Sequence, residues 1–300
     1  MFIKQAWEVL KQASYDWVED RASQLGAALA FYSILSLAPL LVIAISIAGF
    51  IFGEQAARGQ IVAQIEDMVG QQGAEAIQIM LAHANRPDRG IVATVLGVAM
   101  LLVGATGFFN QLRDSLNIIW DVPVPEKRGI GHFVRDWLFP FFLVMGTGFL
   151  LLVSLVLSAA IAAVKQHVSG WLPGQEALWH VTDLGVSFIL VSLLFALIYK
   201  VLPATRVEWR DVWFGALLTA ALFMIGKLLL GLYLGKSGIG SAHGAAGSLV
   251  VLVVWIYYAS QILFFGAELT QVVARRYGSK TFSPPKRHDH APTAKPAAPV

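Results

Sequence analysis

The side chains that could do chemistry in this chain are the few polar groups that interrupt long apolar segments. Lys227 stands inside one such segment, and Asp183 stands near the start of another. An ionised Lys near the centre of a membrane-spanning helix costs about 2.5–3.5 kcal/mol on insertion scales. We therefore expect Lys227 to face the interior and pair with Asp183, which helix geometry places at a similar depth. The alternative is that Lys227 extends its ammonium group to the lipid headgroups.

Two histidines, His180 and His243, belong to the same layer as Asp183 and Lys227. If these four groups converge, they line a polar chamber that opens to the outer side of the membrane. The prediction is a polar network or cavity rather than a metal site, because the sequence holds no motif with metal-ligand spacing.

Glu268 stands at the end of the last apolar segment. A negative charge at a helix C-terminus opposes the helix dipole. We expect an arginine from the same side of the membrane to hold it, with Arg21, Arg113 and Arg210 as candidates. The alternative is a solvated carboxylate at the helix end.

Three further residues interrupt apolar segments. Asn110 and Asn117 close the second segment and suit either interhelical hydrogen bonding or a cytoplasmic gate, and we favour the packing role. Pro39 lies in the middle of the first segment, removes one backbone hydrogen bond and predicts a kink.

The motifs that are missing from the sequence exclude several chemistries. Cys is 0, which excludes disulfides, thiolate metal ligands and cysteine nucleophiles. No phosphate loop, HExxH or GxSxG motif is present. We expect no enzymatic activity, no cofactor and no metal, and no ATP-driven transport by this chain alone.

The elements that must position these residues follow from composition. The chain has 300 residues, 57% hydrophobic and 14% charged, whereas soluble domains carry about 25% charged residues. Six windows are long enough and apolar enough to cross a bilayer, which needs about 20 residues. The fold class predicted is an all-α membrane protein with six transmembrane helices, at about 29–52, 91–112, 138–163, 179–202, 212–234 and 246–269.

The segments outside these windows are predicted from pattern and composition. Residues 1–28 indicate an amphipathic helix, either on the membrane surface or packed on the bundle as a short soluble helix. The first outer loop, 53–90, indicates two short amphipathic helices broken near 70–73, which would serve as a periplasmic cap or as spacers. Residues 29–278 form the membrane domain, and the proline-rich tail at 279–300 is predicted to be disordered.

The orientation follows from the basic residues. Sixteen of the 22 Lys and Arg fall in the N-terminal segment, the second and fourth connections and the tail, and five fall on the other side. The positive-inside rule therefore places both termini in the cytoplasm.

Several stretches resemble the YihY/BrkB family of bacterial inner-membrane proteins. They are the segment from Leu25 to Leu40, Leu116-Asn-Ile-Ile-Trp, Leu202-Pro203 followed by Trp209-Arg210, and the segment from Trp255 to Glu268. The resemblance covers about residues 20–275 and implies a six-span, multi-pass inner-membrane protein. Members of this family carry labels such as virulence factor and, historically, ribonuclease BN.

The ribonuclease label does not fit the residues. RNA hydrolysis usually needs paired metal carboxylates, or His and Lys acid–base pairs, beside a basic surface. The acidic residues of the cytoplasmic side are scattered, and His132 is the sole histidine there outside the tail. We expect no nucleic-acid partner.

Two hypotheses for function remain. The first is a transporter or flippase-like protein for an amphiphilic or envelope-related substrate, with membrane lipids as partners. The second is a non-transporting envelope scaffold or assembly partner. A cavity lined by Lys227 and Asp183 would favour the first, and a close-packed bundle the second. The sequence identifies neither substrate nor energy source, and it leaves open whether copies form a homo-oligomer.

Overall fold

The fold consists of helices packed side by side. A computed structural model of the chain describes residues 2–84, 91–122, 176–205, 207–237 and 239–277, and within these ranges it contains no strand. Its seven helices are α1 (Phe2–Glu19), α2 (Ala22–Phe52), α3 (Glu54–Ala84), α4 (Ile91–Ile119), α5 (Glu176–Val201), α6 (Trp209–Ser237) and α7 (Ile239–Tyr277). The all-helical class predicted from the sequence is confirmed for this part of the chain.

Three helical stretches are long and apolar enough to cross a membrane by length and composition. Among the described residues these are Leu184–Val201, Trp209–Leu230 and Leu249–Tyr277. The windows predicted at 29–52 and 91–112 lie inside α2 and α4. The window at 138–163 and the tail at 279–300 lie outside the described residues, so the count of six spans and the side of the termini stay predictions.

The segment after α2 departs from the sequence prediction. Two short helices broken near 70–73 were expected, but α3 is one helix of 31 residues. A glycine in a helix interior costs only about 1 kcal/mol relative to alanine. Burial of Ile77 and Leu81 of α3 in a cluster with Leu41 of α2 and Leu252 of α7 offsets this cost. The prediction of a break was wrong because it weighed local propensity without this packing.

Helix α1 packs on the C-terminal part of α7. Val9 and Ala13 are buried in one cluster with Leu269 and Val272. Of the two alternatives predicted for this segment, the structure therefore has the helix packed on the bundle. Tyr15 remains 67% exposed, and other apolar residues of α1 such as Trp7 and Val18 are exposed as well. A contact of this face with the membrane surface stays a prediction.

A tight turn joins α1 to α2 and fixes the angle between them. Arg21 precedes α2 with φ 52° and ψ 40°, in the left-handed region that non-glycine residues seldom adopt. The backbone N–H groups of Asp20 and Arg21 still donate to α1, to the carbonyls of Asp16 and Val18. The turn thus places Asp20 beside the bundle instead of continuing the helix.

Small residues allow the helices to approach closely. A Cβ added at Gly104 of α4 would lie 3.1 Å from backbone atoms of Ser36 in α2, which cannot move aside as a side chain can. The ring of Trp255 in α7 meets that of Phe223 in α6 edge to face, with centroids 5.8 Å apart, so Trp255 packs between these helices.

We expect Gly104→Ala to lower the stability of the bundle by about 1–3 kcal/mol, the usual cost of overpacking. Gly185→Ala is the matched control, because no atom of the described residues lies within 4 Å of its added Cβ. There, alanine should stabilise α5 by about 1 kcal/mol through helix propensity. Thermal unfolding of both purified variants in one detergent measures the difference, and equal melting temperatures would contradict the close contact.

Candidate functional site

The outer polar layer predicted from the sequence falls largely on side chains outside the described residues. This holds for Asp183, His180 and His243, and the side chain of Pro39 in α2 also lies outside the described part, so the kink predicted there stays a prediction. Lys227 lies on α6 with a partly exposed side chain. The Lys227–Asp183 pair and the chamber built on it stay predictions.

The two asparagines of α4 lie at its C-terminal end. The Oδ1 of Asn117 accepts a hydrogen bond of 2.8 Å from the backbone N–H of Ala204, in the connection between α5 and α6. This bond ties α4 to that connection and agrees with a packing role. Asn110 lies about two helical turns earlier in α4, and its side chain is partly exposed.

Glu268 is the most unusual polar residue in the described part of the chain. Its side chain is fully buried in α7, at 0% exposure. Neither of its carboxyl oxygens has a hydrogen-bond partner among the residues that the structure describes. A buried polar group without a partner costs about 1–3 kcal/mol, and more if it is charged.

In the part of the chain that the structure describes, none of the expected arginines, Arg21, Arg113 and Arg210, forms a hydrogen bond with Glu268. That expectation rested on a helix ending near Glu268, but α7 continues to Tyr277 and carries Arg275 and Arg276 in its last turn. These two arginines complement the helix dipole. Glu268 therefore lies well inside the helix, where the dipole argument no longer applies.

Arg275 has a different partner. Its guanidinium forms an ion pair with Asp121, just after α4, and Gln271 Nε2 donates to the same carboxylate at 3.2 Å. Asp121 adopts a positive φ of 49°, a conformation that Asp tolerates better than most residues. Arg275 thus acts on Glu268 only through space, and its hydrogen bonds go to Asp121.

Two carboxylates from the α1 end face Glu268. Asp20 lies within hydrogen-bonding range of it, and Asp16 acts on it electrostatically. Asp16 is buried at 2% exposure, and its Oδ1 accepts a hydrogen bond of 2.9 Å from Gln12 Nε2. Three acidic groups therefore meet where α1, the turn after it and α7 come together. We call Glu268, Asp20 and Asp16 the acidic cluster.

Polar residues continue along one face of α7. Gln261, Glu268 and Arg275 recur every seven residues, two helical turns apart, so they share that face. Both amide atoms of Gln261 are buried without a hydrogen-bond partner. The backbone of Gly26 in α2 lies against this amide and leaves no room for a larger residue.

Sequence reasoning found Glu268 but missed the residues around it. Asp16 and Asp20 were seen only as charges of an amphipathic segment. Asp16 follows Ala13 by three residues on one face of α1, so helical spacing was a usable signal for Asp16. The seven-residue spacing of Gln261 and Glu268 was a second one.

The acidic cluster does not have the arrangement of a metal site. No group of three His, Asp or Glu side chains that could hold a metal ion occurs among the described residues. What the arrangement can do chemically is bind and release a proton, because carboxyl groups in hydrogen-bonding range compete for one.

A comparison with known protein families matches residues 13–291 to the family described as virulence factor BrkB. The chain belongs to the BrkB family. The resemblance drawn from the sequence is thereby confirmed, and the matched region contains every residue of the acidic cluster.

Relatives of this BrkB-family chain are named as membrane proteins. A UPF0761 membrane protein of Pseudomonas paraeruginosa is 28% identical over 267 residues, covering 87% of this chain and 62% of the relative. One of Verminephrobacter eiseniae is 32% identical over 271 residues, covering 83% and 59%. One of Kangiella koreensis is 24% identical over 249 residues, also covering 83% and 59%. The chain thus spans about three fifths of the length of these relatives, and no solved structure matches it.

A buried hydroxyl contact near the cluster holds three helices together in this BrkB-family bundle. Tyr199 of α5 donates from its hydroxyl to the carbonyl of Leu263 in α7 at 2.8 Å. The same hydroxyl lies 3.0 Å from Thr219 Oγ1 of α6, which donates to Gly215 at 2.7 Å.

We expect Tyr199→Phe to destabilise the bundle by about 0.5–1.5 kcal/mol, the net value of one hydrogen bond. The ring would keep its packing, since only the hydroxyl is removed. Tyr15→Phe is the control, because Tyr15 is 67% exposed. Thermal unfolding of the two variants decides the matter, and an unchanged melting temperature for Tyr199→Phe would contradict the role of the hydroxyl.

Proposed function

We propose that this BrkB-family chain is a multi-pass protein of the bacterial inner membrane that moves an amphiphilic envelope component across or within the bilayer. The proposal includes no enzymatic step, no cofactor and no nucleic-acid partner. The observation that carries it is Glu268, a fully buried carboxyl group without a hydrogen-bond partner in a helix apolar enough to span a membrane.

A residue kept only for structure is not expected to be acidic at the position of Glu268. An acidic residue inside a membrane helix is costly, and such residues commonly mark ion pathways or proton relays. Replacing a buried ionic group by an apolar one of similar volume is often neutral or stabilising. The carboxyl group at this position is therefore better explained by a role in activity than by a contribution to the stability of the fold.

The choice of an amphiphilic substrate rests on the outer surface of the bundle. Large apolar side chains of α5 and α6, among them Ile189, Ile225 and Leu228, are more than half exposed. A lipid-facing surface of this kind lets a molecule with acyl chains approach from the side. Its polar part would then need polar groups inside the bundle, which the α7 face with Gln261 and Glu268 offers.

A scaffold without transport is the second candidate, and the close helix contacts favour it. Gly104 of α4 brings backbone against backbone at Ser36, and Gly266 of α7 is packed against the side chains of Tyr199 and Thr219. Contacts of this kind hold helices in one arrangement. A scaffold needs such rigidity, whereas a transporter must move some of its helices.

Reconstitution separates the two candidates. The purified chain is placed in vesicles of phosphatidylethanolamine and phosphatidylglycerol that contain a fluorescent phospholipid, and inward-facing probe is followed as it becomes accessible to an impermeant quencher. We expect the wild type to exchange probe faster than empty vesicles. Glu268→Gln should slow the exchange at least tenfold while its melting temperature stays equal or rises, as expected for a residue kept for activity.

Glu19→Gln provides the matched control, since Glu19 is an exposed carboxylate of α1 close to the cluster in sequence. It should exchange probe like the wild type. Wild-type exchange no faster than in empty vesicles, for anionic and zwitterionic probes alike, would remove the transport proposal and leave the scaffold.

The orientation can be tested directly because the chain contains no cysteine. Tyr277→Cys at the end of α7 and Tyr15→Cys on α1 introduce single thiols at exposed positions. With both termini in the cytoplasm, an impermeant maleimide should label neither in intact spheroplasts and both after lysis. Labelling of Tyr277→Cys in intact spheroplasts would overturn the orientation, and labelling of that thiol but not of Tyr15→Cys would also overturn the even number of spans.

A further inference from the structure

Glu268 and Asp20 form a pair of carboxyl groups that cannot bond to each other when both are ionised. They lie within hydrogen-bonding range, yet in the described part of the chain neither oxygen of Glu268 has a donor. An ionised carboxylate only accepts hydrogen bonds, whereas a protonated one donates. A single proton would therefore turn this repulsive contact into a hydrogen bond from one carboxyl group to the other.

Among the described residues, most of the charges that act on Glu268 are negative. The groups that act on Glu268 are Asp20 in the turn, Asp16 on α1 and Arg275 on α7. Asp16 adds a third carboxylate, and its neighbour Gln12 is neutral. The guanidinium of Arg275 is bonded to Asp121, so the positive charge is shared with a fourth acidic residue. Two carboxyl groups in one such site do not both ionise readily.

We propose that Glu268 and Asp20 share one proton, and that this pair is a proton-binding site at the junction of α1, α2 and α7. The inference deepens the proposed transport function, on which it rests for its purpose: a proton site of this kind would couple movement of the substrate to a proton gradient. The binding step is simple. One oxygen of the Glu268 carboxylate takes up a proton and donates it in a hydrogen bond to the Asp20 carboxylate, which retains its charge.

A proton fits this site better than a metal ion does. The described residues contain no arrangement of three acidic or histidine side chains that could hold a metal. Divalent cations such as Ca²⁺ take about six to eight oxygen ligands, and Mg²⁺ about six. A shared proton needs two oxygens, and the pair provides them.

Release of the proton would act on α1. The helix is held to α7 by a small apolar cluster that includes Val9 and Leu269. Loss of the shared proton leaves two negative charges facing each other across that contact, because Asp20 follows directly on α1. The site therefore links protonation to the position of α1 on the bundle.

The experiment follows the proton itself and does not depend on transport. The full-length chain is held in lipid nanodiscs, and infrared difference spectra are recorded during a pH titration to observe the carbonyl stretch of a protonated, buried carboxyl group. We expect this band in the wild type at neutral pH, and its loss as the pH rises. Glu268→Gln should abolish it, Glu19→Gln should leave it unchanged, and Asp20→Asn should shift the pH at which it disappears.

Thermal unfolding across the same pH range gives a second readout. Wild-type stability should fall as rising pH removes the shared proton. Glu268→Gln should lack this decrease, because a neutral amide donates to Asp20 at every pH. If Glu268→Gln does not fold, Asp20→Asn in the half-exposed turn serves the same purpose and should flatten the profile.

Three results would overturn the proposal. One is a wild-type spectrum without a protonated carboxyl band that depends on Glu268. Another is an identical pH profile for wild type, Glu268→Gln and Asp20→Asn. The third is stabilisation by Na⁺ over K⁺ at fixed pH, lost in Glu268→Gln, which would make the site a cation site. A proton band together with failed phospholipid exchange would leave the proton site intact and remove only the transport function.

Discussion

Glu268 places a carboxyl group in the interior of the bundle, and the neighbouring elements are arranged around that group. Asp20 and Asp16 reach it from the α1 end, while the guanidinium of Arg275 turns away to Asp121. Placing a charge in a low-dielectric interior costs several kcal/mol unless it is paired or neutralised. Since no cation among the described residues is bonded to Glu268, the proton-site proposal lowers that cost by neutralising the carboxyl group. The position of α1 depends on the same balance, because Asp20 lies in the turn at the end of α1.

The sequence predicted the helices well and the partners of their polar residues poorly. Windows without charges place helices because hydrophobic length is a local property of the chain. The break expected in α3 failed because burial of Ile77 and Leu81 outweighs the small helical cost of glycine. The dipole argument for an arginine at Glu268 does not apply, because α7 extends to Tyr277. Asp20 could not have been found from spacing, since its place beside Glu268 depends on the left-handed conformation of Arg21.

The bundle combines rigid and strained features at the same end. Thr219 and Tyr199 lock α5, α6 and α7 together through buried hydroxyl contacts. A few residues away, Glu268 and Gln261 bury polar atoms without partners. Buried polar groups without a partner are rare in an otherwise well-bonded structure. These hydroxyl contacts hold the helices in one arrangement. The helices therefore cannot shift to give the unsatisfied groups a partner or to expose them to solvent.

Helix α1 is the element through which a change at the acidic cluster can reach the rest of the molecule. One face carries Ala13 and Asp16 against the bundle, and the opposite face exposes apolar residues such as Trp7 and Val18. An amphipathic helix with an exposed apolar face binds readily at a lipid interface. Under the proton-site proposal, repulsion between Asp20 and Glu268 would work against the small contact of α1 with α7, while the lipid surface offers α1 a competing place to bind. Helix α1 would then have two alternative contacts, and one proton would select between them. Coupling between sites requires a two-state element of this kind.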